Sequence, residues 1–122
     1  GRFLPKEAVV LEAAKELSGK SGANVLVSMG VDGALLIWRG VTEEPPRVFR
    51  ASSYEAPVLN TVGAGDSLLA AAALTIPNGT GPLESLRLSI AASTLAVSRP
   101  AGILPCKEEI YELSHKIQVT EI

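Results

Sequence analysis

An apolar helix that follows a glycine-containing turn places the strongest constraint on the fold of this chain. Residues 67–74 read Ser-Leu-Leu-Ala-Ala-Ala-Ala-Leu, and they directly follow the turn Gly63-Ala64-Gly65-Asp66. A helix that is small and apolar on every side is typical of a buried position, covered by other elements all round. The pattern therefore predicts a layered structure in which this helix is buried.

The composition provides enough apolar side chains for one such domain. Of the 122 residues, 47% are hydrophobic and 20% are charged, unlike a disordered chain. A formal net charge of −2 does not provide the basic surface that nucleic-acid-binding proteins use. The single Cys106 and the single His115 exclude a disulfide framework and a Cys/His zinc site. With no secretion signal and no apolar run of membrane-spanning length, we expect a cytoplasmic protein with no membrane partner.

The remaining sequence alternates helical and extended patterns. Apolar spacing predicts helices over about 5–19, 67–74, 83–97 and 107–116. Apolar β-rich runs predict strands over 24–29, 34–38 and 47–50. An Asp32-Gly33 turn should join the first two strands as an antiparallel hairpin. Because residues 25–27 are apolar at every position, we expect helices on both faces of that strand, as in an α/β sheet.

The turn at residues 63–66 has the features of an anion-binding site. Glycines before a helix let the backbone fold tightly and direct its free N–H groups outward, where the helix dipole adds partial positive charge. Asp66 follows this cradle, where its charge would repel a tightly held phosphate. Beside a substrate hydroxyl, however, Asp66 can accept a proton while the amides stabilise a phosphoryl group in transfer. The spacing leaves another interpretation open, in which Asp66 is a helix N-cap and the glycines form a packing turn.

Other nucleotide-binding and hydrolase motifs do not occur in the sequence. Residues 63–68 place the large Leu68 where a dinucleotide-binding fingerprint needs a third small residue. No P-loop pattern and no Gly-x-Ser-x-Gly pattern is present. Trp38 and Arg39 end a predicted strand and could stack on a base, but a rim or core position is favoured for the tryptophan.

Residues 60–73, Asn-Thr-Val-Gly-Ala-Gly-Asp-Ser-Leu-Leu-Ala-Ala-Ala-Ala, resemble the C-terminal signature of the PfkB carbohydrate kinases, with no departure from its pattern. Residues 25–36 are similar to the nucleotide-side strand and turn of this family, and residues 91–98 are similar to one of its helices. The resemblance covers nearly the whole chain in order and spacing. Within the family, it is strongest to the 1-phosphofructokinase and tagatose-6-phosphate kinase branch.

This resemblance implies a ribokinase-like fold, which is a three-layer α/β/α sandwich. Residues 1–122 would form its C-terminal portion, which binds nucleotide and carries the catalytic base. The N-terminal sugar-binding half would be absent, and the start at Gly1 rather than Met agrees with a fragment. We expect the fragment alone to be inactive, and its exposed strand edges to favour self-association, with a homodimer as one form.

The resemblance also implies catalytic roles for four residues. Asp66 is expected to be the base that accepts the proton of the acceptor hydroxyl. The backbone amides of Gly63, Ala64 and Gly65 are expected to form the anion hole for the γ-phosphoryl group.

A second set of residues is expected to bind the nucleotide. Ser28, Gly30 and Gly33 would lie against the phosphates and ribose of ATP, and Ile90 and Thr94 would border the adenine. The family also uses Mg²⁺ with ATP. Several members bind a monovalent cation near the positions that correspond to Asn60 and Val62, whereas the sequence assigns no metal ligand.

The expected function is ATP-dependent phosphorylation of a hydroxyl on a small-molecule sugar or sugar phosphate, of the fructose 1-phosphate or tagatose 6-phosphate type. Two alternatives stay open. One is a ribokinase-like nucleoside or pseudouridine kinase. The other is a non-catalytic, kinase-like fragment that binds nucleotide or a partner chain.

Overall fold

The computed structural model describes residues 5–39, 45–54, 56, 59, 64–76, 78–100 and 105–122. The helices are α1 (Pro5–Ser21), α2 (Ala64–Thr75), α3 (Pro82–Val97) and α4 (Lys107–Ser114). The strands are β1 (Val25–Ser28), β2 (Ala34–Trp38), β3 (Arg47–Ala51) and β4 (Val119–Glu121). They form one antiparallel sheet in the order β1-β2-β3-β4. The predicted hairpin is confirmed, with a 3₁₀ turn at Gly30–Asp32 between its strands.

The sheet is the middle layer of the structure. Leu35 and Ile37 of β2 belong to the core shared with Leu11 of α1, whereas Leu36 belongs to the core shared with Leu86 of α3. Neighbouring side chains of a strand point to opposite faces, so β2 is covered by helices on both sides. The predicted α/β/α arrangement is therefore confirmed.

The strand that is buried on both faces is β2 and not β1. Val25, Leu26 and Val27 are only half-buried, whereas Leu35 and Ile37 have no exposed surface. Val25 and Val27 pack against the core on the α1 side and Leu26 packs against the core on the α3 side, so β1 has the expected contacts on both faces but is only partly covered. The reason is that β1 lies at the edge of the described sheet, with β2 as its neighbour on one side.

Hydrogen bonds connect both ends of α1 to the sheet or to residues next to it. The buried Ser18 hydroxyl donates to the carbonyl oxygen of Ala23 at 2.7 Å and accepts from Arg39 Nε at 2.8 Å. At the first turn, Glu7 Oε1 accepts from Nη2 of Arg50 on β3 at 2.8 Å, and the Glu7 side chain is only 6% exposed. These bonds add directional contacts at both ends of α1 to its apolar packing on the sheet.

Helix α2 differs from its prediction because one of its faces is exposed. Leu68 and Ala72 are buried, whereas Leu69 and Leu74 are 63% and 68% exposed. The inner face packs on α3, and no element in the described part of the chain covers the outer face. The prediction of a fully buried helix is therefore wrong here.

No helix in the described ranges is long and apolar enough to cross a membrane.

Strand β4 is an element that the sequence did not predict. Its residue Glu121 pairs with Phe49 of β3. The carboxylate of Glu121 accepts two hydrogen bonds from the guanidinium of Arg47, each of 2.8 Å. This bidentate bond raises the pKa of Arg47 and lowers the pKa of Glu121.

We predict that β4 loses protection from hydrogen exchange in acid. Because the pKa of Glu121 is lowered in the folded chain, the stabilisation that it provides is present above its ordinary pKa and is lost as the pH falls through the lowered folded value. The pair is exposed, so we expect a local effect. Amide protection factors of residues 119–121 should fall on this acid limb, and Glu121→Gln should remove the pH dependence. The control is Glu112→Gln, at an exposed glutamate. If Glu112→Gln removed the pH dependence of these protection factors to the same extent, the assignment of the effect to Glu121 would be wrong.

The hairpin turn requires glycine at position 33 for a steric reason. Gly33 has a φ of +93°, and a Cβ built on it would lie 1.9 Å from the carbonyl oxygen of Ala51 at the end of β3. Gly30 has a φ of +58°, but a Cβ built there meets no atom within 4 Å. The two glycines therefore differ. Gly33 permits close packing on β3, and Gly30 permits only the left-handed backbone.

We predict that Gly33→Ala destabilises the chain more than Gly30→Ala. The left-handed conformation at Gly30 costs an alanine about 1–2 kcal/mol. At Gly33, the clash with Ala51 adds to the backbone strain, so we expect a loss of roughly 3 kcal/mol or more. Urea unfolding followed by circular dichroism measures both losses. Equal losses for the two variants would show that the packing on β3 does not require Gly33.

Candidate functional site

The first turn of α2 holds Ala64 and Gly65, two of the three residues that the sequence predicts for anion binding. The helix begins at Ala64, so Gly65 and Asp66 are its second and third residues. Amides of a first turn have no carbonyl partner within the helix, and they carry the positive end of its dipole. Gly65 is exposed, and a Cβ built on it meets no atom within 4 Å. This turn therefore presents accessible backbone that an anion can approach.

The position of Asp66 bears on the alternative interpretation of this residue as a helix N-cap. An N-cap residue precedes the first helical residue, whereas Asp66 lies inside the first turn. The N-cap interpretation therefore does not fit. Gly63 lies outside the described residues, as do the side chains of Ala64 and Asp66. The catalytic role of Asp66 and the anion hole stay predictions.

Helix α3 fixes the position of α2. Leu68 and Ala72, which are buried on the inner face of α2, lie over α3, whose Ala91 has no exposed surface. The small side chains of Ala72 and Ala91 let the two helices approach closely. Before the motif, the amide of Leu59 donates to the carbonyl oxygen of Val97, at the end of α3, at 2.7 Å. Leu59, directly before the signature residues 60–73, and helix α2, which contains the later part of that signature, are therefore both held on α3.

The turn between β1 and β2 places two of its three predicted nucleotide-binding residues at the surface. Ser28 and Gly30 are exposed, whereas Gly33 is buried. The turn is closed by hydrogen bonds from the amide of Asp32 to the carbonyl of Met29 and from the amide of Gly33 to the carbonyl of Gly30, each of 3.1 Å. The sequence assigned Gly33 to the nucleotide, but packing on β3 already requires a glycine at this position. Its contact with a nucleotide stays a prediction.

Ile90 and Thr94, which are predicted to border the adenine, lie on the buried face of α3. Ile90 is 5% exposed and shares the core of Leu36 and Phe49, and Thr94, one turn later, is 9% exposed. The structure therefore gives Ile90 a packing role between α3 and the sheet, a role that the sequence analysis did not assign. Contact of either side chain with a nucleotide stays a prediction.

A cavity of about 270 Å³ lies between the first turn of α1 and the end of β1. Its lining residues are Lys6, Glu7, Val10, Val27, Ser28, Met29 and Asp32. Val10, Val27 and Met29 pack against the core on the α1 side, so the sheet separates this cavity from α3. Among the predicted site residues that the structure describes, Ser28 alone lines it.

The described residues do not form a protein-only metal site. No three His, Cys, Asp or Glu side chains come together in the part of the chain that the structure describes. Asn60 and Val62, which the resemblance places near a monovalent cation, lie outside the described residues.

Comparison with known sequences identifies the family. Residues 1–109 match the family described as pfkB family carbohydrate kinase. The 1-phosphofructokinase of Haloferax volcanii is 30% identical over 122 residues, which are 100% of this chain and 38% of that enzyme. The 1-phosphofructokinase of Escherichia coli K12 is 36% identical over 103 residues, which are 81% of this chain and 30% of that enzyme. The chain thus spans about a third of the length of these relatives.

Solved structures show the same relationship. Phosphofructokinase-2 of Escherichia coli, in complex with substrates and products, has a TM-score of 0.73 and 26% identity over 93% of this chain and 34% of that one. The same protein in complex with potassium has a TM-score of 0.74 and 25% identity over 93% of this chain and 35% of that one. These structural similarities and the family match agree with the α/β/α layers and with the glycine-containing sequence at residues 60–73. The chain belongs to the pfkB family of carbohydrate kinases.

Proposed function

We propose that residues 1–122 form the nucleotide-binding and catalytic-base portion of a kinase that transfers the γ-phosphoryl group of ATP to a hydroxyl of a sugar phosphate. One observation carries the proposal. Asp66 and the accessible backbone of Gly65 lie in the same first turn of α2, within a chain of the pfkB family. The relatives named 1-phosphofructokinase favour an acceptor of the fructose 1-phosphate type over the tagatose 6-phosphate type.

In the proposed mechanism, a single helical turn provides both a base and an anion-binding surface. The Asp66 carboxylate accepts the proton of the acceptor hydroxyl as the hydroxyl oxygen attacks the γ-phosphorus. The amides of Gly63, Ala64 and Gly65 stabilise the negative charge on the transferred group. Because these groups share one turn, their relative placement does not depend on the packing of separate elements.

The chain has surfaces that fit ATP. Gly30 and Gly65 are exposed, and a Cβ at either position would meet no atom within 4 Å, so phosphate oxygens can approach both backbones. In this proposal Ser28, Gly30 and Gly33 contact the phosphates and ribose, and Ile90 and Thr94 lie at the adenine.

The metal requirements follow from the same arrangement. Mg²⁺ bound with ATP would neutralise phosphate charge, and phosphate oxygens and water would be its main ligands. The related phosphofructokinase-2 has been solved in complex with potassium, which supports the use of a monovalent cation, and the proposed place for it near Asn60 and Val62 comes from the family resemblance.

We predict that Asp66→Asn lowers kcat by roughly 10²- to 10⁴-fold, the range usual for a general base, and leaves the KM for ATP nearly unchanged. The test uses a protein that joins this chain to the rest of a PfkB-type domain, with fructose 1-phosphate as acceptor and ATP consumption as the readout. Glu84→Gln is the matched control, because Glu84 is an acidic residue in the first turn of α3. An equal loss of ATP binding and turnover in Asp66→Asn would indicate a structural role.

We predict that Gly65→Val abolishes phosphoryl transfer in the same protein and leaves its folding intact. The valine side chain would occupy the space where phosphate oxygens lie, but its Cβ would meet no protein atom within 4 Å. Gly81→Val is the matched control, because Gly81 precedes α3 and a Cβ there is equally unhindered. ATP consumption and thermal unfolding are measured for both variants. An active Gly65→Val protein would refute the anion hole.

The chain alone is proposed to be inactive because it spans about a third of its relatives. A panel of sugar phosphates, sugars and nucleosides, tested on this chain and on the joined protein, separates the alternatives. Activity only in the joined protein, and only with sugar phosphates, is the expected result. Turnover of nucleosides instead would support a nucleoside kinase, and ATP binding without any turnover would support a non-catalytic module.

A further inference from the structure

Met29 is the only methionine of the chain, and its backbone closes the turn between β1 and β2. Ser28 precedes it at the end of β1, and Gly30 follows it as the first residue of the 3₁₀ turn. The amide of Met29 donates to the carbonyl oxygen of Gly33 at 2.8 Å, and its carbonyl oxygen accepts from the amide of Asp32 at 3.1 Å. A displacement of Met29 therefore acts on both of these hydrogen bonds.

The side chain of Met29 is half-buried, because it contacts the core and also lines a cavity. It packs against the core on the α1 side, which contains Leu11 and Leu35. It also lines the cavity of about 270 Å³ between the first turn of α1 and the end of β1. Lys6 and Asp32 line the same cavity and are exposed, so solvent reaches it. Met29 thus holds the turn on the core and is accessible to a small solute.

A thioether in such a place reacts with peroxides. A lone pair of the sulfur attacks one peroxide oxygen, the O–O bond breaks, and the sulfur is oxidised to a sulfoxide. With hydrogen peroxide, the proton of the transferred oxygen moves to the departing hydroxide, which leaves as water, so the peroxide is reduced. The product, methionine sulfoxide, is polar and no longer suited to apolar packing.

Two hydrogen-bond donors line the same cavity as Met29. They are the ammonium group of Lys6 and the hydroxyl of Ser28. A sulfoxide oxygen is an acceptor that the thioether lacks, so oxidation gives the side chain a reason to leave the core and turn toward these donors. A bond to Ser28 would engage the hydroxyl that the proposed function assigns to ATP. Oxidation therefore acts on the turn through lost packing and through a diverted donor.

We propose that Met29 is a peroxide-sensitive modification site, whose oxidation loosens the turn between β1 and β2 and weakens nucleotide binding. Loss of packing on the α1-side core weakens the two backbone hydrogen bonds that Met29 makes in the turn. The effect on nucleotide binding rests on the proposed function, whereas the loosening of the turn does not. Methionine sulfoxide reductases reduce the sulfoxide to the thioether and restore the closed turn.

The test oxidises the 122-residue chain in a Cys106→Ser background, which removes its other sulfur atom and keeps a preferred N-cap residue on α4. Hydrogen peroxide should add one oxygen atom to the peptide that contains Met29, as measured by mass spectrometry. The amides of Met29, Asp32 and Gly33 should then exchange hydrogen at least about tenfold faster, because the turn opens locally. Reductase treatment should reverse the change, and Met29→Gln should reproduce it without peroxide.

Two control variants separate the sulfur of Met29 from other effects of peroxide. Met29→Leu keeps an apolar side chain of similar volume and removes the sulfur, so its turn should exchange at the unoxidised rate in peroxide. Adding Leu17→Met to that variant returns a thioether to α1, at a position that is 57% exposed and lies far along the helix from the cavity. Its oxidation should leave the exchange of the turn unchanged.

Nucleotide binding is measured by calorimetry on the joined protein, before and after treatment with peroxide. We expect the Kd for ATP to rise by about tenfold or more, and not to rise in the Met29→Leu variant of the same protein. An untreated joined protein that does not bind ATP would contradict the proposed function, and the amide exchange of the turn would still decide whether Met29 controls it.

Three results would overturn the proposal. If Met29 stayed reduced under conditions that oxidise the methionine of Leu17→Met, the cavity would not admit peroxide. If Met29 were oxidised and the amides of the turn exchanged as before, its packing would not hold the turn. If peroxide weakened ATP binding equally in Met29→Leu, another residue would be responsible.

Discussion

Burial of β2 between two layers of helices is the interaction on which the rest of the structure depends. Leu35, Leu36 and Ile37 are at most 1% exposed, and each fully buried side chain of this size contributes about 1.5–3 kcal/mol. Alternation along β2 sends these side chains to both faces, so one short strand organises α1 on one side and α3 on the other. Helix α3 in turn fixes the position of α2, and α2 carries Gly65 and Asp66 in its first turn. The position of the candidate site thus traces back to this strand.

Much of this arrangement could be predicted from local sequence. The β1–β2 hairpin, β3, α3 and α4 appear close to their predicted positions, because each has a strong apolar pattern and a clear turn or break beside it. Strand β4 was missed because three residues have little pattern of their own. It is held by its register on β3 and by the bond between Arg47 and Glu121, which are far apart in sequence.

At two of the predicted site residues the structure adds a packing role, since a sequence pattern reports what a residue tolerates and not which neighbour requires it. The carbonyl of Ala51 requires glycine at position 33, and Ile90 lies in the core shared with Phe49. The nucleotide contacts that the resemblance implies for both residues stay predictions. For the candidate site, the sequence predicted the turn and its residue types, whereas the packing that positions them is visible only in three dimensions.

Helix α2 connects the packing of the described chain with the proposed catalytic turn. The sequence of this helix is suited to burial on all sides, yet the described chain covers only the side toward α3. The same helix carries Asp66 and Gly65 in its first turn. General-base catalysis needs its groups within hydrogen-bond reach of the substrate, and the packing of α2 on α3 is the described contact that fixes this turn.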